Sequence, residues 1–379
     1  MKLISLFITV LCIAFYSCSE ERTEDPNILP AYEFELIDSI QINHLGSLEL
    51  LDVHVEKELY LFSTENDNHL FLTNKSGEIV SKFDEPVDSP KAFGNGTGSG
   101  IFFENQIVIM GYNQFAVYDL EFNFKHGFKL TYPGSDIFYA NNDHLKRAFK
   151  NKKPMLLAFT GGPQNGVPSN QPEYYTEYNA FDLIDVDSGT FTPVVPFHPK
   201  SRFLSGKAFG YIQPKYHVEG NDISFIYSQD TLLFHYNLDQ PETFTATRIP
   251  FDNFIINEGF RMKGQMDYET PSDVEGKIHT YFKVGDLNLI AYTSGIKHEN
   301  IPDLTQEEDV LVKEFARINP LKWILLNDSG KSSNPQEMQS KFYITRVDSD
   351  GNFWAKQNTY MLEEESDLIT YYKLKLVQK

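Results

Sequence analysis

Apolar and polar residues alternate in short stretches over most of the chain after Tyr32. Successive side chains of a β-strand point to opposite faces of its sheet, so a period of two residues predicts strands. Many stretches come in pairs around a tight turn, as residues 69–73 and 78–83 do around the turn at 74–77. Such pairs are typical of β-hairpins. The pattern therefore predicts an all-β protein.

The hairpins recur with a regular spacing. Turn residues lie near positions 77, 122, 189, 239, 285 and 330, and most of these positions are about 45 to 50 residues apart. This spacing is typical of four-stranded blades arranged around a ring. We expect a β-propeller of six blades, with seven blades or a pair of β-sandwich domains as alternatives. The N-terminal strand near 34–42 is expected to join the last blade, because an open ring exposes strand edges.

Two segments have a helical pattern instead. Residues 143–150 begin with a capping aspartate and end in a basic cluster. Residues 305–318 begin with the capping-box spacing of Thr305 and Glu308, and Pro320 follows them. We expect both helices to be small insertions. Because long loops are often functional, we also expect any ligand contact to involve an inserted segment between 141 and 178.

The first residues predict export. Lys2 precedes an apolar stretch, residues 3–16, that is shorter than the roughly 20 residues of a membrane-spanning helix. Cys18 follows the stretch, and Cys12, the other cysteine of the chain, lies within it. Removal of residues 1–17 as a signal peptide leaves Cys18 at the N-terminus, without a partner for an internal disulfide.

These features resemble the signal of a bacterial lipoprotein, in which an apolar stretch ends directly before a cysteine. The resemblance implies that Cys18 carries lipid chains that anchor the protein to a membrane. Phe15 and Tyr16 depart from the usual pattern of a Leu and a small residue, although lipoproteins of the Bacteroidetes type are looser there. The Ser-Glu-Glu sequence at 19–21 resembles the surface-export signal of that type. A solvated acidic linker is the alternative interpretation.

The repeat pattern and the acylated start together resemble the TolB-like six-bladed β-propeller lipoproteins of Bacteroidetes, including families of unknown function. The resemblance covers most of the chain and implies an outer-membrane protein that is periplasmic or surface-exposed. It transfers no catalytic residue. The expected organisation is a signal peptide at 1–17, an acylated N-terminus and tether at 18–31, and a single propeller domain at 32–379.

The charge of the chain restricts its partners. A formal net charge of -20, from 33 Lys and Arg against 53 Asp and Glu, argues against nucleic-acid binding. One basic cluster breaks the acidic trend, and we consider contact with an anionic glycan, a lipid headgroup or an acidic partner. A solvated helix end is the alternative interpretation. The cluster comprises Lys146, Arg147, Lys150, Lys152 and Lys153.

A second candidate contact is a tyrosine group that includes Tyr174, Tyr175 and Tyr178, flanked by Glu173 and Glu177. Tyrosine rings beside carboxylates can stack on sugar faces and bond their hydroxyls. Packing of a strand edge on its neighbour is the alternative interpretation.

No motif predicts a metal or a cofactor. The glycine-rich residues 94–100 precede a strand rather than a helix, and Val167 and Pro168 replace the Lys and Ser/Thr of a phosphate loop after 161–166. The acidic turns at 185–189 and 348–351 lack the further ligands of a calcium loop. His198, His217 and His235 could form a zinc site only through tertiary folding. We therefore assign no metal ligand, no cofactor and no catalytic residue.

The sequence thus favours a lipid-anchored, non-enzymatic binding or scaffold module of the cell envelope. The expected partner is an envelope protein or a glycan, and the protein is expected to be a monomer. A propeller enzyme, such as a glycan lyase or hydrolase that uses loops over the central channel, is the first alternative. A secreted structural protein without lipid is the second.

Acylation of Cys18 is directly testable. We expect mass spectrometry of the mature N-terminus to find a lipid-modified Cys18, because the apolar stretch ends directly before it. An unmodified N-terminus at Ser19, or a free thiol on Cys18, would contradict the lipoprotein interpretation.

Overall fold

A computed structural model describes residues 28–64, 69–94, 96–111, 114–130, 144–161, 166–210, 212–260, 272–338, 342–357 and 368–379. Within these residues the chain forms six four-stranded antiparallel sheets. The predicted signal segment and Cys18 lie outside the described residues. No helix of the described part is long and apolar enough to cross a membrane.

Each sheet is a meander that we call a blade, and each blade is numbered in chain order. The strands of the first three blades are β2 (Leu48–His54), β3 (Leu59–Thr64), β4 (Leu70–Thr73) and β5 (Ile79–Phe83); β6 (Thr97–Phe103), β7 (Gln106–Gly111), β8 (Gln114–Tyr118) and β9 (Phe124–Lys129); and β10 (Leu145–Lys150), β11 (Lys153–Ala158), β12 (Asn179–Asp185) and β13 (Thr190–Pro196). The strands of the last three are β14 (Pro214–Glu219), β15 (Asp222–Tyr227), β16 (Leu232–Asn237) and β17 (Thr245–Arg248); β18 (Lys277–Val284), β19 (Leu287–Thr293), β20 (Lys322–Asn327) and β21 (Gln336–Glu337); and β22 (Phe342–Val347), β23 (Phe353–Gln357), β24 (Ile369–Gln378) and β1 (Tyr32–Ile42).

The first strands of successive blades contact one another in order, and β22 of the sixth blade contacts β2 of the first. The six sheets therefore form a closed ring around a central channel, which is a six-bladed β-propeller. This confirms the predicted fold, and the seven-bladed and sandwich alternatives are wrong.

Six apolar clusters hold the ring together, one at each boundary between neighbouring blades. Adjacent side chains of one strand pack into the clusters on opposite sides of the blade. Leu61 packs toward the second blade, whereas Phe62 packs toward the sixth. Because both faces of a blade are covered, the central strands contain continuous apolar stretches, such as Ile107 to Met110 in β7.

The N-terminal strand closes the ring, as the sequence predicted. β1 pairs antiparallel with β24 from Tyr32 opposite Gln378 to Ile42 opposite Ile369, and it forms the outer strand of the sixth blade. The last blade thus combines both ends of the chain. Only Ile40 and Ile42 of β1 are buried, and both lie at the boundary with the first blade.

A repeated turn marks the end of the third strand in the first five blades. An Asn or Asp there accepts hydrogen bonds from backbone N–H groups two to four residues later, which closes the turn to the outer strand. The sixth blade needs no such turn, because its outer strand is β1. The residues are Asn74, Asp119, Asp185, Asn237 and Asn327.

The two faces of the ring differ. One face, the hairpin face, carries the connections from first to second strands and from third to fourth strands. The opposite face, the loop face, carries the described parts of the long connections between β11 and β12, β13 and β14, β17 and β18, and β19 and β20, at 159–178, 197–213, 249–276 and 294–321. It also carries the two α-helices of the described residues, α1 (Glu173–Thr176) and α2 (Glu308–Ile318).

The helical predictions were half right. The predicted helix at 305–318 exists as α2, although it begins at Glu308, and Thr305 bonds Asp303 rather than forming a capping box. The predicted helix at 143–150 is wrong, because its described part contains β10, the innermost strand of the third blade. Segment 141–178 is therefore no simple insertion, since it contains two strands of the ring.

Closure by β1 predicts a contrast between two isoleucines of that strand. Ile42→Ala removes a fully buried side chain at a blade boundary and should lower the free energy of unfolding by about 2–4 kcal/mol. Ile37→Ala is the matched control, because Ile37 is 45% exposed, and it should change stability by only about 0.5 kcal/mol. Urea unfolding measures both, and equal effects would contradict closure by this strand.

Candidate functional site

The strands that surround the channel have a charge opposite to that of the whole chain. The innermost strand of each blade is its first strand, which is β2, β6, β10, β14, β18 or β22. These six strands contain seven Lys or Arg residues and three Asp or Glu residues, although the chain as a whole is strongly acidic. A channel with low-dielectric walls and an excess of one sign of charge attracts ligands of the other sign. The cations are Lys146, Arg147, Lys150, Lys215, Lys277, Lys283 and Arg346, and the anions are Glu49, Asp52 and Glu219.

Asp52, on β2 of the first blade, links the innermost strands of four blades. Its buried carboxylate accepts a hydrogen bond from the backbone N–H of Phe102 in the second blade at 2.9 Å. Arg147 of the third blade lies 3.4 Å from one carboxylate oxygen, and Arg346 of the sixth lies 3.5 Å from the other. Arg147 also donates to the carbonyl oxygen of Phe102 at 3.0 Å.

Two strand irregularities place these charges. The pairing of β2 with β3 shifts between Leu50 and Asp52, and that of β22 with β23 shifts between Ile344 and Arg346. Each shift is a β-bulge, and a bulge changes the direction of the side chain that follows it. Asp52 and Arg346 are the residues directly after the two bulges.

Two further lysines lie near His279, where the channel opens on the loop face. Lys215 and Lys277 lie at the starts of β14 and β18, which enter the ring from that face. Enclosure in the protein, followed by the charges of Lys277 and Lys215, lowers the pKa of His279 to about 4. His279 is therefore uncharged at neutral pH, and the positive charge of this opening comes from the lysines.

The predicted basic cluster is divided by the fold. Arg147 reaches Asp52, whereas Lys153 on β11 pairs with Asp185 at 2.6 Å. Lys146 lies over the ring of Tyr216 in the next blade, at 5.9 Å from the ring centre. Lys150 is half-buried at the end of β10. The cluster therefore belongs to the ring itself and is no solvated helix end.

The predicted tyrosine contacts are buried. Tyr174, Tyr175 and Tyr178 pack in the cluster between the third and fourth blades and offer no exposed ring face for stacking on a sugar. Tyr175 accepts a hydrogen bond from the backbone N–H of Phe209 at 2.7 Å and donates to the carbonyl of Ser169, so it fastens two loop-face connections together. The alternative of packing holds for their burial, but the predicted strand edge is wrong, because Tyr174 and Tyr175 lie in α1 and Tyr178 precedes β12.

A buried polar cluster lies beneath the same connections. Arg202 donates to the carbonyl of Gln229 at 2.9 Å, and the side chain of Gln229 donates to Glu275 at 2.6 Å. Burial lowers the pKa of Arg202, while the carboxylates of Asp230, Glu258 and Glu275 raise it. No local sequence pattern indicates this cluster, because its members come from three separate connections.

Asp230 is the most perturbed carboxyl group of this cluster. Burial raises the pKa of Asp230 to about 6, against the opposing effects of a hydrogen bond from the backbone of Thr231 and the charge of Arg202. Oδ2 of Asp230 and Oε2 of Glu275 are buried and accept no hydrogen bond within the described residues. The two oxygens are sealed from solvent and cannot act on an external substrate.

The described residues contain no group of three His, Cys, Asp or Glu side chains that could hold a metal ion. The acidic turns that resemble calcium loops use their carboxylates internally. Asp348, for example, accepts hydrogen bonds from the backbone of Asn352 and from the indole of Trp354.

Comparison with solved structures finds similar chains. A member of the DUF4221 family from Bacteroides vulgatus is 9% identical, with coverage of 92% of this chain and 99% of that chain and a TM-score of 0.54. Streptogramin B lyase is 11% identical, with coverage of 91% and 98% and a TM-score of 0.43. BamB from Moraxella catarrhalis is 7% identical, with coverage of 90% and 100% and a TM-score of 0.40. At these identities the first likeness shows the fold alone.

No protein-family model and no curated protein matches the sequence.

Asp230 predicts a pH dependence of stability. Its folded pKa of about 6 lies above the ordinary value of 3.8, so the folded state binds the proton more tightly and loses this stabilisation as pH rises through 6. Between pH 4.5 and 7.5, the free energy of unfolding of the parent should fall by about 2 kcal/mol relative to that of Asp230→Asn.

Urea unfolding at the two pH values measures this difference. Thr231→Ser is the control at the same turn, because it alters no ionisable group and should keep the pH dependence of the parent. Parallel stability profiles for the parent and Asp230→Asn would contradict the assigned titration.

Proposed function

We propose that this protein is a lipid-anchored module of the cell envelope that binds an anionic envelope component through its central channel. The observation that carries the proposal is the charge of the channel wall. The innermost strands carry seven cations against three anions in a chain of net charge -20. Lys283 is neutralised by Asp328, and the remaining excess of cations can attract an anion that enters the channel. An acidic glycan fits this wall best, because its charges repeat along an extended chain.

The geometry favours binding over catalysis. A hydrolase or lyase needs titratable groups that reach the substrate, with pKa values matched to proton transfer. The carboxyl group that has such a pKa, Asp230, is sealed beneath loop-face connections. On the innermost strands of the described residues, Lys and Arg outnumber Asp and Glu. Cations in a cleft attract and orient anions without a chemical step.

The course of the N-terminal segment supports an orientation at the membrane. Residues 28 and 29 contact Ser332, which lies in a connection on the hairpin face, and β1 begins at Tyr32 on that same face. A tether from Cys18 therefore joins the ring opposite the loop face. In this arrangement the opening beside Lys215 and Lys277 points away from the membrane, toward envelope components.

The channel charge predicts salt-dependent binding of a polyanion. Detergent-solubilised protein should bind fluorescent polygalacturonate at low salt and should not bind dextran, a neutral polysaccharide. Lys215→Ala combined with Lys277→Ala should weaken binding about twofold to thirtyfold, because exposed charge contacts each contribute about 0.2–1 kcal/mol. Fluorescence anisotropy measures the affinity.

The matched control combines Lys125→Ala with Lys129→Ala, which removes the same charge from the outer strand β9. The control should bind as the parent does. Equal losses in both double variants would mean that only net charge matters, and absence of binding to the parent would refute the proposed ligand class.

A further inference from the structure

Arg147 is held along one side only. Its Nη1 atom contacts the carboxylate of Asp52 and donates to the carbonyl of Phe102, whereas its Nη2 and Nε atoms make no hydrogen bond within the described residues. The side chain is 43% exposed although it belongs to an innermost strand. A guanidinium fixed through one nitrogen still presents a pair of parallel N–H donors on another edge.

The group that holds Arg147 is itself fixed. Asp52 is only 4% exposed, accepts a hydrogen bond from the backbone of Phe102 and contacts Arg346. A buried carboxylate with several donors has little freedom to move. The orientation of the Arg147 guanidinium is therefore set before any ligand arrives, which reduces the ordering that binding requires.

We propose that Arg147 is a preorganised recognition site for a single oxyanion, a carboxylate or a phosphate, that binds side-on to its Nε and Nη2 edge. Two parallel N–H donors match two oxygen acceptors of such a group, and this pairing is stronger and more specific than contact with a lysine. The inference rests on the proposed function and names the residue that recognises the anionic group of the ligand. Lys215 and Lys277 then attract the anion, whereas Arg147 orients it.

Asp52 is a positioning residue in this arrangement. It contacts the arginine rather than the ligand, and its effect on binding passes through the direction of the guanidinium. Asp52→Asn keeps the size of the side chain and the charge of Arg147 but weakens the contact that orients it. Asp52→Glu keeps the carboxylate and should recover part of the affinity.

Side-chain NMR of the Arg Nε–Hε groups tests the site on the full-length protein in detergent micelles. The chain has few arginines, and Arg147→Lys identifies the signal of Arg147 by its loss. Sodium galacturonate, inorganic phosphate and galactose are the probes. We expect a saturable shift of the Arg147 signal with galacturonate, with phosphate, or with both, and none with galactose.

Arg317 is the internal control, because it lies on the exposed side of α2 with a side chain that is 73% exposed. Its signal should follow ionic strength alone. A response to galacturonate but not phosphate assigns the site to carboxylates, and the reverse assigns it to phosphates. An Arg147 shift that is no larger than that of Arg317, or that does not saturate, overturns the proposal.

The variants give a second readout. Arg147→Lys should weaken polygalacturonate binding about threefold to tenfold, since one ammonium replaces a bidentate contact. Asp52→Asn should weaken it and broaden the Arg147 signal, whereas a merely structural effect would lower the melting temperature and leave affinity unchanged. If the parent binds polygalacturonate and Arg147→Lys binds equally well, this inference fails while the proposed function stands. If the parent binds no polyanion, the proposed function itself fails.

Discussion

The structure depends on sheets that are apolar on both faces. A blade touches one neighbour on each side, so its strands must supply two separate apolar boundaries with alternate side chains. Six such boundaries close the ring, so every blade has both of its apolar faces covered by neighbouring blades. The innermost strands converge near the axis of the ring. Polar groups there must find hydrogen-bond partners, because an unpaired buried polar group is unfavourable.

The channel accommodates this requirement with charge. Asp52 joins four innermost strands through two arginines and one backbone amide, so the axis is held by directional contacts rather than by apolar packing. Buried ion pairs contribute little net stability because their desolvation opposes their attraction. Their value here is geometric, since they fix the direction of Arg147 while they leave part of it accessible.

Much of the fold follows from the sequence because its signals are local. The period of two and the tight turns each concern neighbouring residues. Together with the regular recurrence of the turns and the isolated first strand, they correctly predicted six blades and closure by β1. The error at 143–150 arose because a capping aspartate and a basic end resemble a helix, while pairing with β11 decides the strand. The Asn or Asp at the end of the third strand recurs in the first five blades and is a repeat signature.

The candidate site was less accessible to sequence reasoning. The basic cluster in the sequence indicates Arg147 as a candidate. Its partner Asp52 is 95 positions away, and Arg346 is 294 positions from Asp52. Nothing local connects these residues, because the ring alone brings them together. The predicted sugar contacts of the tyrosines near 174 were wrong for a different reason. The carboxylates beside them suggested that the rings are exposed, whereas the loop-face connections cover them.

Closure by the first strand also has a mechanical consequence. β1 runs from the hairpin face to the loop face, and the proposed tether joins it at its beginning. Tension between a captured component on the loop face and the membrane would pull β1 along its own axis. Its hydrogen bonds to β24 would then be loaded in shear and share the force, rather than opening one after another from an end. The strand that completes the ring would thus also be the element that resists detachment under load.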